Sequence, residues 1–211
     1  GGVVTEAGLG DEVVCELRAG GGLARYALAP VARLVRRPAE LDPMVAASLP
    51  VAGGTAWRAL ALGGVDAAAP GVSRQRVLVI GASGGVGTFT VQLAGGRGAE
   101  VWALCGERNR ALVEGLGAAH TFDYRAVQPG SPELGEGRFD AVIDIAGTAP
   151  LRVLQRLVRD GGRVVLVSGE GGRVLGPVGR LAAASVISIG AKRPIRPLGA
   201  VAKADAPRGV T

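Results

Sequence analysis

From Arg76 onward the chain alternates two patterns of apolar residues. Short apolar runs, "RVLVI", "AEVWALC", "FDAVIDIAG" and "RVVLVSG", are separated by stretches with apolar positions at helical spacing: "VGTFTVQLA", "ERNRALVEGLG" and "APLRVLQRLVRD". Runs without polar alternation suit strands covered on both faces, and their alternation with helices predicts a parallel sheet of βαβ units. "HTFDY" reads as a further short strand and "RAVQPGSPELGEGR" as a polar loop. The helix "APLRVLQRLVRD" is expected to end at Gly161-Gly162. "SVISI", at 185–189, alternates small polar and apolar residues, as an edge strand does.

Before Arg76 the pattern is looser. "DEVVCEL" reads as a strand, and "GGGLARYALAP" as a glycine turn followed by a second one. "LDPMVAASLPVAGGTAWRALAL" turns helical: Asp42 is placed to cap a first helix at Pro43, and Thr55 to help start a second. "GGVDAAAPGVSRQ" is a loop.

Composition narrows the classes. With 48% hydrophobic and 20% charged residues among 211, the chain can bury a core, and with 3% aromatics that core is Val, Leu, Ile and Ala. The net charge of +6 comes from scattered arginines, only Lys192 and Lys203 being lysine. No basic block is interleaved with aromatics, so nucleic acid is not an expected partner. No run is long enough to span a membrane. Cys15 and Cys105 form neither a CxxC pair nor a disulfide-dense pattern, and the start lacks the marks of a signal peptide. The expected location is cytoplasmic.

The chemistry concentrates in "VLVIGASGGVGTFTVQLA", where a glycine-rich turn follows a strand and opens a helix. Amides in a helix's first turn lack intrahelical acceptors and carry partial positive charge, so a pyrophosphate binds there if no β-carbon blocks it. Gly84 and Gly85 would admit the phosphates; Gly87 would let the helix pack closely on the strand. The competing explanation is a glycine turn serving packing alone.

Together, "LPVAGGTAWRAL", "VLVIGASGGVGTFTVQLA", "GAEVWALCGERNRALVEGLGAAHTFDY" and "FDAVIDIAG" resemble the zinc-independent quinone oxidoreductase branch of the medium-chain dehydrogenases, from about Gly10 to Gly190. The resemblance implies an α/β fold: a doubly wound parallel Rossmann sheet after a partial GroES-like β remnant. On that basis 1–42 is the remnant of a catalytic domain, 43–205 the NAD(P)-binding domain and 206–211 a tail. Gly84, Gly85, Val86 and Gly87 match the family's diphosphate turn. Thr55 matches a threonine beside the nicotinamide, though a plain helix cap explains it equally well. Tyr124 matches a tyrosine near the adenosine end, with a packed surface tyrosine as the alternative. Ala146-Gly147 and Ser168-Gly169 close two strands, where ligands sit in such sheets, and are expected to line the nicotinamide side.

Cofactor choice turns on the second strand's tip. NADH sites place a carboxylate there, about 20 residues past the glycine turn. Here the tip reads Cys105-Gly106, with Glu107 one step later and Arg108 and Arg110 close by, able to clamp a 2′-phosphate. NADPH is expected, with NADH possible. No metal is expected: Val51 stands where zinc-dependent relatives carry a cysteine ligand, and His120 is the lone histidine.

The chain also departs from the family. Of the GroES-like part only "GDEVVCEL" through "LVRRP" can be traced, Arg25 stands where an acid is usual, and Gly95-Gly96 weaken a late helical turn by about 1 kcal/mol each. The implied activity is NADPH-dependent hydride transfer to a quinone or an α,β-unsaturated carbonyl; the alternative is a non-catalytic nucleotide-binding or interaction protein. No catalytic residue is identified, and Tyr26 is structural by default. In the family an edge such as "SVISI" pairs with its twin, which predicts a homodimer.

Overall fold

The computed structural model describes residues 8–17, 20–66, 73–167, 184, 187–188 and 190–198. By packing, one unit ends at Thr55 and a second begins at Ala56.

In the first unit, β1 (Val13–Val14) pairs antiparallel with β2 (Val35–Arg36), matching Val13 to Arg36 and Val14 to Val35. The strand expected within Gly20–Pro30 is absent: those residues have no ladder partner, and Tyr26 and Leu28 are almost fully exposed. An extended segment without a paired neighbour gains nothing from its β-formers. Asp42 caps α1 (Pro43–Ser48) as expected, its Oδ1 accepting from Met44 N at 2.8 Å and Val45 N at 3.3 Å. Pro50 cannot donate to the helical ladder, and the run widens there into a π turn (Leu49–Gly53) before continuing as α2 (Gly54–Gly63). Thr55 therefore lies inside a continuing helix and caps nothing.

In the second unit the apolar runs become β3 (Arg76–Ile80), β4 (Glu100–Cys105), β5 (His120–Asp123), β6 (Phe139–Asp144), β7 (Val158–Leu166) and β8 (Ile195–Pro197). They form one parallel sheet in the order β5-β4-β3-β6-β7-β8. This is the 3-2-1-4-5-6 order of a doubly wound Rossmann sheet. Val77 and Val79 face one core with Ala59 and Leu60 of α2, Val91 and Ala94 of α3 (Gly85–Gly96) and Val113 of α4 (Arg110–Gly115). Leu78 and Ile80 face the other, with Leu154 and Leu157 of α5 (Leu151–Leu157). Two covered faces are why these strands read as unbroken apolar runs.

Two elements differ from expectation. Helix α5 stops at Leu157 rather than at the glycines, because Val158 is already extended and paired with Phe139. The extra residues up to Arg163 form an irregularity in which Gly162 is wedged: a β-carbon there would lie 2.9 Å from Asp140 O and 3.0 Å from Arg159 O. In "SVISI", the described residues Ile187 and Ser188 are helical, not extended. The Ser188 hydroxyl donates to Ala184 O at 2.6 Å and accepts from Ile195 N at 2.8 Å, pinning that turn against the true edge strand, β8. Neither of these two described residues offers the extended backbone that the expected dimer pairing needs.

His120 opens β5. Its ring is centred 4.2 Å from that of Trp102, and its Nε2 lies 3.3 Å from Glu100. Glu100 also accepts from Trp102 Nε1 at 2.9 Å and from Arg76 Nε at 3.4 Å. The indole N–H is the main influence holding this carboxyl below the usual glutamate range; partial burial opposes it, while Arg76 and His120 assist. A depressed folded-state value stabilises fully above the unfolded-state value and is lost as pH falls through the folded one. The stability gap between wild type and Glu100→Gln, read by urea unfolding, is therefore expected to shrink as pH drops below about 4.3. An unchanged gap at low pH would refute this assignment.

Candidate cofactor-binding site

The crevice of the sheet lies between the carboxyl ends of β3 and β6, since α3 leaves β3 over one face and α5 leaves β6 over the other. Ligands of doubly wound sheets bind at such a switch point. Beyond Ile80, Gly81 turns the chain with φ +88°, and the amides of Gly81 and Ala82 both donate to Leu104 O, at 3.1 and 3.0 Å. The turn is thus fastened to β4.

Gly84 precedes α3 with φ −79° and ψ 171°, values open to any residue. Backbone strain does not explain glycine there. Space does. A β-carbon on Gly84 would touch only Gly81 O, at 3.5 Å, and one on Gly85 would meet nothing within 4 Å. At Gly87 it would lie 2.2 Å from Gly81 O and 2.7 Å from two backbone atoms of Ala82. One glycine packs the helix onto the turn; two leave its mouth bare. Thr88 N closes the first helical bond, to Gly84 O at 2.9 Å, so the amides of Gly85, Val86 and Gly87 have no acceptor among the described residues. That is the cradle a pyrophosphate fits.

The β4 tip carries no carboxylate at Gly106. Cys105 is buried, and burial pushes its thiol up, with Arg110 acting against that rise. Arg110 is committed elsewhere: it donates to Thr121 Oγ1 at 3.0 Å and pairs with Glu107 at 3.3 Å and Glu114 at 3.9 Å. Arg108, in the 3-10 turn Glu107–Asn109, is exposed. Tyr124, its amide donating to Cys105 O at 3.0 Å, brings its ring to 3.6 Å from where a Gly106 β-carbon would be. Arg125 lies over that ring, 4.7 Å from its centroid, with Nη1 3.8 Å from the same point and 3.7 Å from Asp123 Oδ1. Arg125 was not singled out by sequence; the signal available was a cation directly after Tyr124.

On the β6 side, Ile145 N donates to Ile80 O at 3.0 Å. Buried Asp144 accepts from Gly147 N at 3.0 Å and so fixes the Ala146-Gly147 bend on the rim. Neither was recognised in the sequence as the rim's anchor. The structure thus gathers Gly84–Gly87, Gly106, Tyr124, Ala146 and Gly147 along the carboxyl ends of adjacent strands. Ser168 and Gly169 lie outside the described residues. Thr55 is half-buried in α2, in the N-terminal unit, and its hydroxyl has no hydrogen bond among the described residues.

Among the described residues no group of three or more His, Cys, Asp and Glu is placed to hold a metal ion. Among the described residues no helix is long and apolar enough to cross a membrane.

A family model described as zinc-binding dehydrogenase matches residues 85–191. The chain is 39% identical over 160 residues to the chloroplast envelope quinone oxidoreductase homolog of Arabidopsis thaliana, covering 74% of this chain and 48% of that protein. It is 34% identical over 156 residues to the human mitochondrial NAD(P)H oxidoreductase RTN4IP1, covering 69% and 39%. Its fold matches the quinone oxidoreductase of Thermus thermophilus, a crystal structure determined also with NADPH, at a TM-score of 0.63 and 26% identity over 86% of this chain and 54% of that one. The chain spans about half the length of the curated relatives it matches, or less. Their names also correct the expected location: they are chloroplast or mitochondrial proteins, not cytoplasmic ones.

Proposed function

The chain belongs to the zinc-independent, quinone oxidoreductase-like family of medium-chain dehydrogenase/reductases, and on that premise we propose NADPH-dependent hydride transfer to a quinone or an α,β-unsaturated carbonyl. The observation that carries the dinucleotide half is the bare mouth at Gly84 and Gly85 beneath the unpaired amides of Gly85, Val86 and Gly87. Those amides would hold the linked phosphates. Gly106 with Tyr124 would receive the adenosine end, and Arg108 and Arg125 its 2′-phosphate, there being no carboxylate at the tip to favour a free ribose. Ala146 and Gly147, Ser168 and Gly169, and the Thr55 hydroxyl are proposed for the nicotinamide side. When bound, the dihydronicotinamide supplies the hydride; the chain's own residues supply placement and electrostatics. Self-association by sheet extension would use an outer strand, β5 or β8; at β8 Pro197 lacks an amide donor and Pro194 precedes the strand, so a homodimer paired there is expected to be weak.

The test is titration with NADPH and NADH by nicotinamide fluorescence, followed by NADPH consumption with 1,4-benzoquinone. Gly85→Val is expected to weaken NADPH binding at least about tenfold, some 1.4 kcal/mol, with the urea midpoint unchanged because the site is open. Unaltered affinity in that variant would end the dinucleotide reading. Tight binding without quinone turnover would favour the non-catalytic nucleotide-binding alternative.

A further inference from the structure

The amino-terminal end of the six-stranded sheet, away from the glycine turn, holds a second cavity of about 800 Å³. That size falls within the range of small-molecule sites. Five arginines and three carboxylates line it, and part of that charge cancels in the wall: Arg76 meets Glu100 at 3.4 Å, and Arg159 meets Asp140 at 2.5 Å. Asp140 also accepts the Arg76 amide at 2.7 Å. What remains is Arg74, Arg97 and Arg138 against Asp66, an excess of two positive charges.

Two of these guanidinium groups are held in advance. Arg97 lies 4.3 Å from the centroid of Trp57 and donates one N–H to Val65 O at 2.7 Å. Arg138 lies 4.9 Å from the centroid of Trp102 and donates to Glu133 O at 3.0 Å. Each retains donors, and an arginine already ordered by stacking and a carbonyl loses little further freedom on binding. Gln75 donates one amide N–H to Gly64 O and accepts the Asp66 N–H, which stiffens the wall and leaves it one further N–H. Donors from three segments, the approach to β3, the loop after α3 and the approach to β6, face one space. Such an arrangement suits tetrahedral oxygens better than a single planar carboxylate.

We propose that this cavity is a second anion site, taking a small phosphorylated anion at the end of the sheet opposite the dinucleotide cradle. The molecule carries its own reporter, because its only two tryptophans, Trp57 and Trp102, each lie under one of the cavity arginines. Inorganic pyrophosphate is titrated into the full chain, with and without saturating NADP⁺, against chloride at matched ionic strength. The expected result is a saturable change in tryptophan emission that persists with NADP⁺ present. Its midpoint should weaken at least about tenfold in Arg138→Gln and in Arg74→Gln, the cost of a lost charge-assisted hydrogen bond, and stay put in Gly85→Val. An absent or unsaturable response, a response matched by chloride, or equal midpoints in the arginine variants would overturn the proposal. So would loss of binding in Gly85→Val, which would assign the pyrophosphate to the glycine turn. Failure of NADP⁺ to bind leaves the titration without it intact, so the two readings fail separately.

Discussion

Gly87→Ala is expected to destabilise the protein by about 3 kcal/mol, the upper end of the cost of overpacking a core. Propensity alone predicts the reverse, since alanine is better than glycine in a helix by about 1 kcal/mol. The clash decides. An added β-carbon would stand 2.2 Å from Gly81 O and 2.7 Å from the Ala82 backbone. Neither neighbour can step aside cheaply, because the amides of Gly81 and Ala82 are both bonded to Leu104 O inside the sheet. Either α3 tilts away from β3, opening the core around Val91 and Ala94, or the turn leaves β4. Both outcomes move the amides proposed to hold the cofactor. The same change at Gly85 meets no atom within 4 Å and should leave the urea midpoint where it was. Equal stabilities for Gly87→Ala and wild type would show that this contact is not what positions the helix.

The contrast explains what the sequence made legible. A strand buried on both faces can only be apolar throughout, so β3, β4, β6 and the end of β7 from Arg163 to Leu166 announce themselves, as does a turn that must admit a close neighbour. Elements whose form depends on a distant partner do not. "GGGLARYALAP" has strand-forming residues but no strand to pair with among the described residues, and Val158 leaves its helix because Phe139 is waiting beside it. The helical form of Ile187 and Ser188 is set by a hydroxyl that meets β8 seven residues on. Arg125 was invisible for a related reason: it reaches Gly106 only because the turn after β5 folds back over the tip of β4. Cysteine usage, finally, reports redox conditions and not an address, and the curated relatives named above are chloroplast or mitochondrial proteins.

Arg125→Ala is expected to weaken NADPH binding about tenfold and to leave NADH within about twofold. A hydrogen bond to a charged group is worth about 1.5–3 kcal/mol, and the low end applies because the Arg125 side chain is 66% exposed and screened by water. Its present partner does not hold it back: Asp123 sits at 3.7 Å, a loose pair, while the Tyr124 ring beneath keeps the guanidinium at the β4 tip. Arg108→Ala should act in the same direction. Arg110→Ala should not, because its donors are spent on Glu107, Thr121 and Glu114, and its loss should register as lowered stability with cofactor preference retained. Fluorescence titration of both nucleotides at two salt concentrations separates these outcomes, since a phosphate contact fades with added salt and a packing contact does not. If NADPH and NADH weaken together in Arg125→Ala, the residue supports the rim without reading the phosphate, and the cofactor preference must then rest on Arg108 and Tyr124.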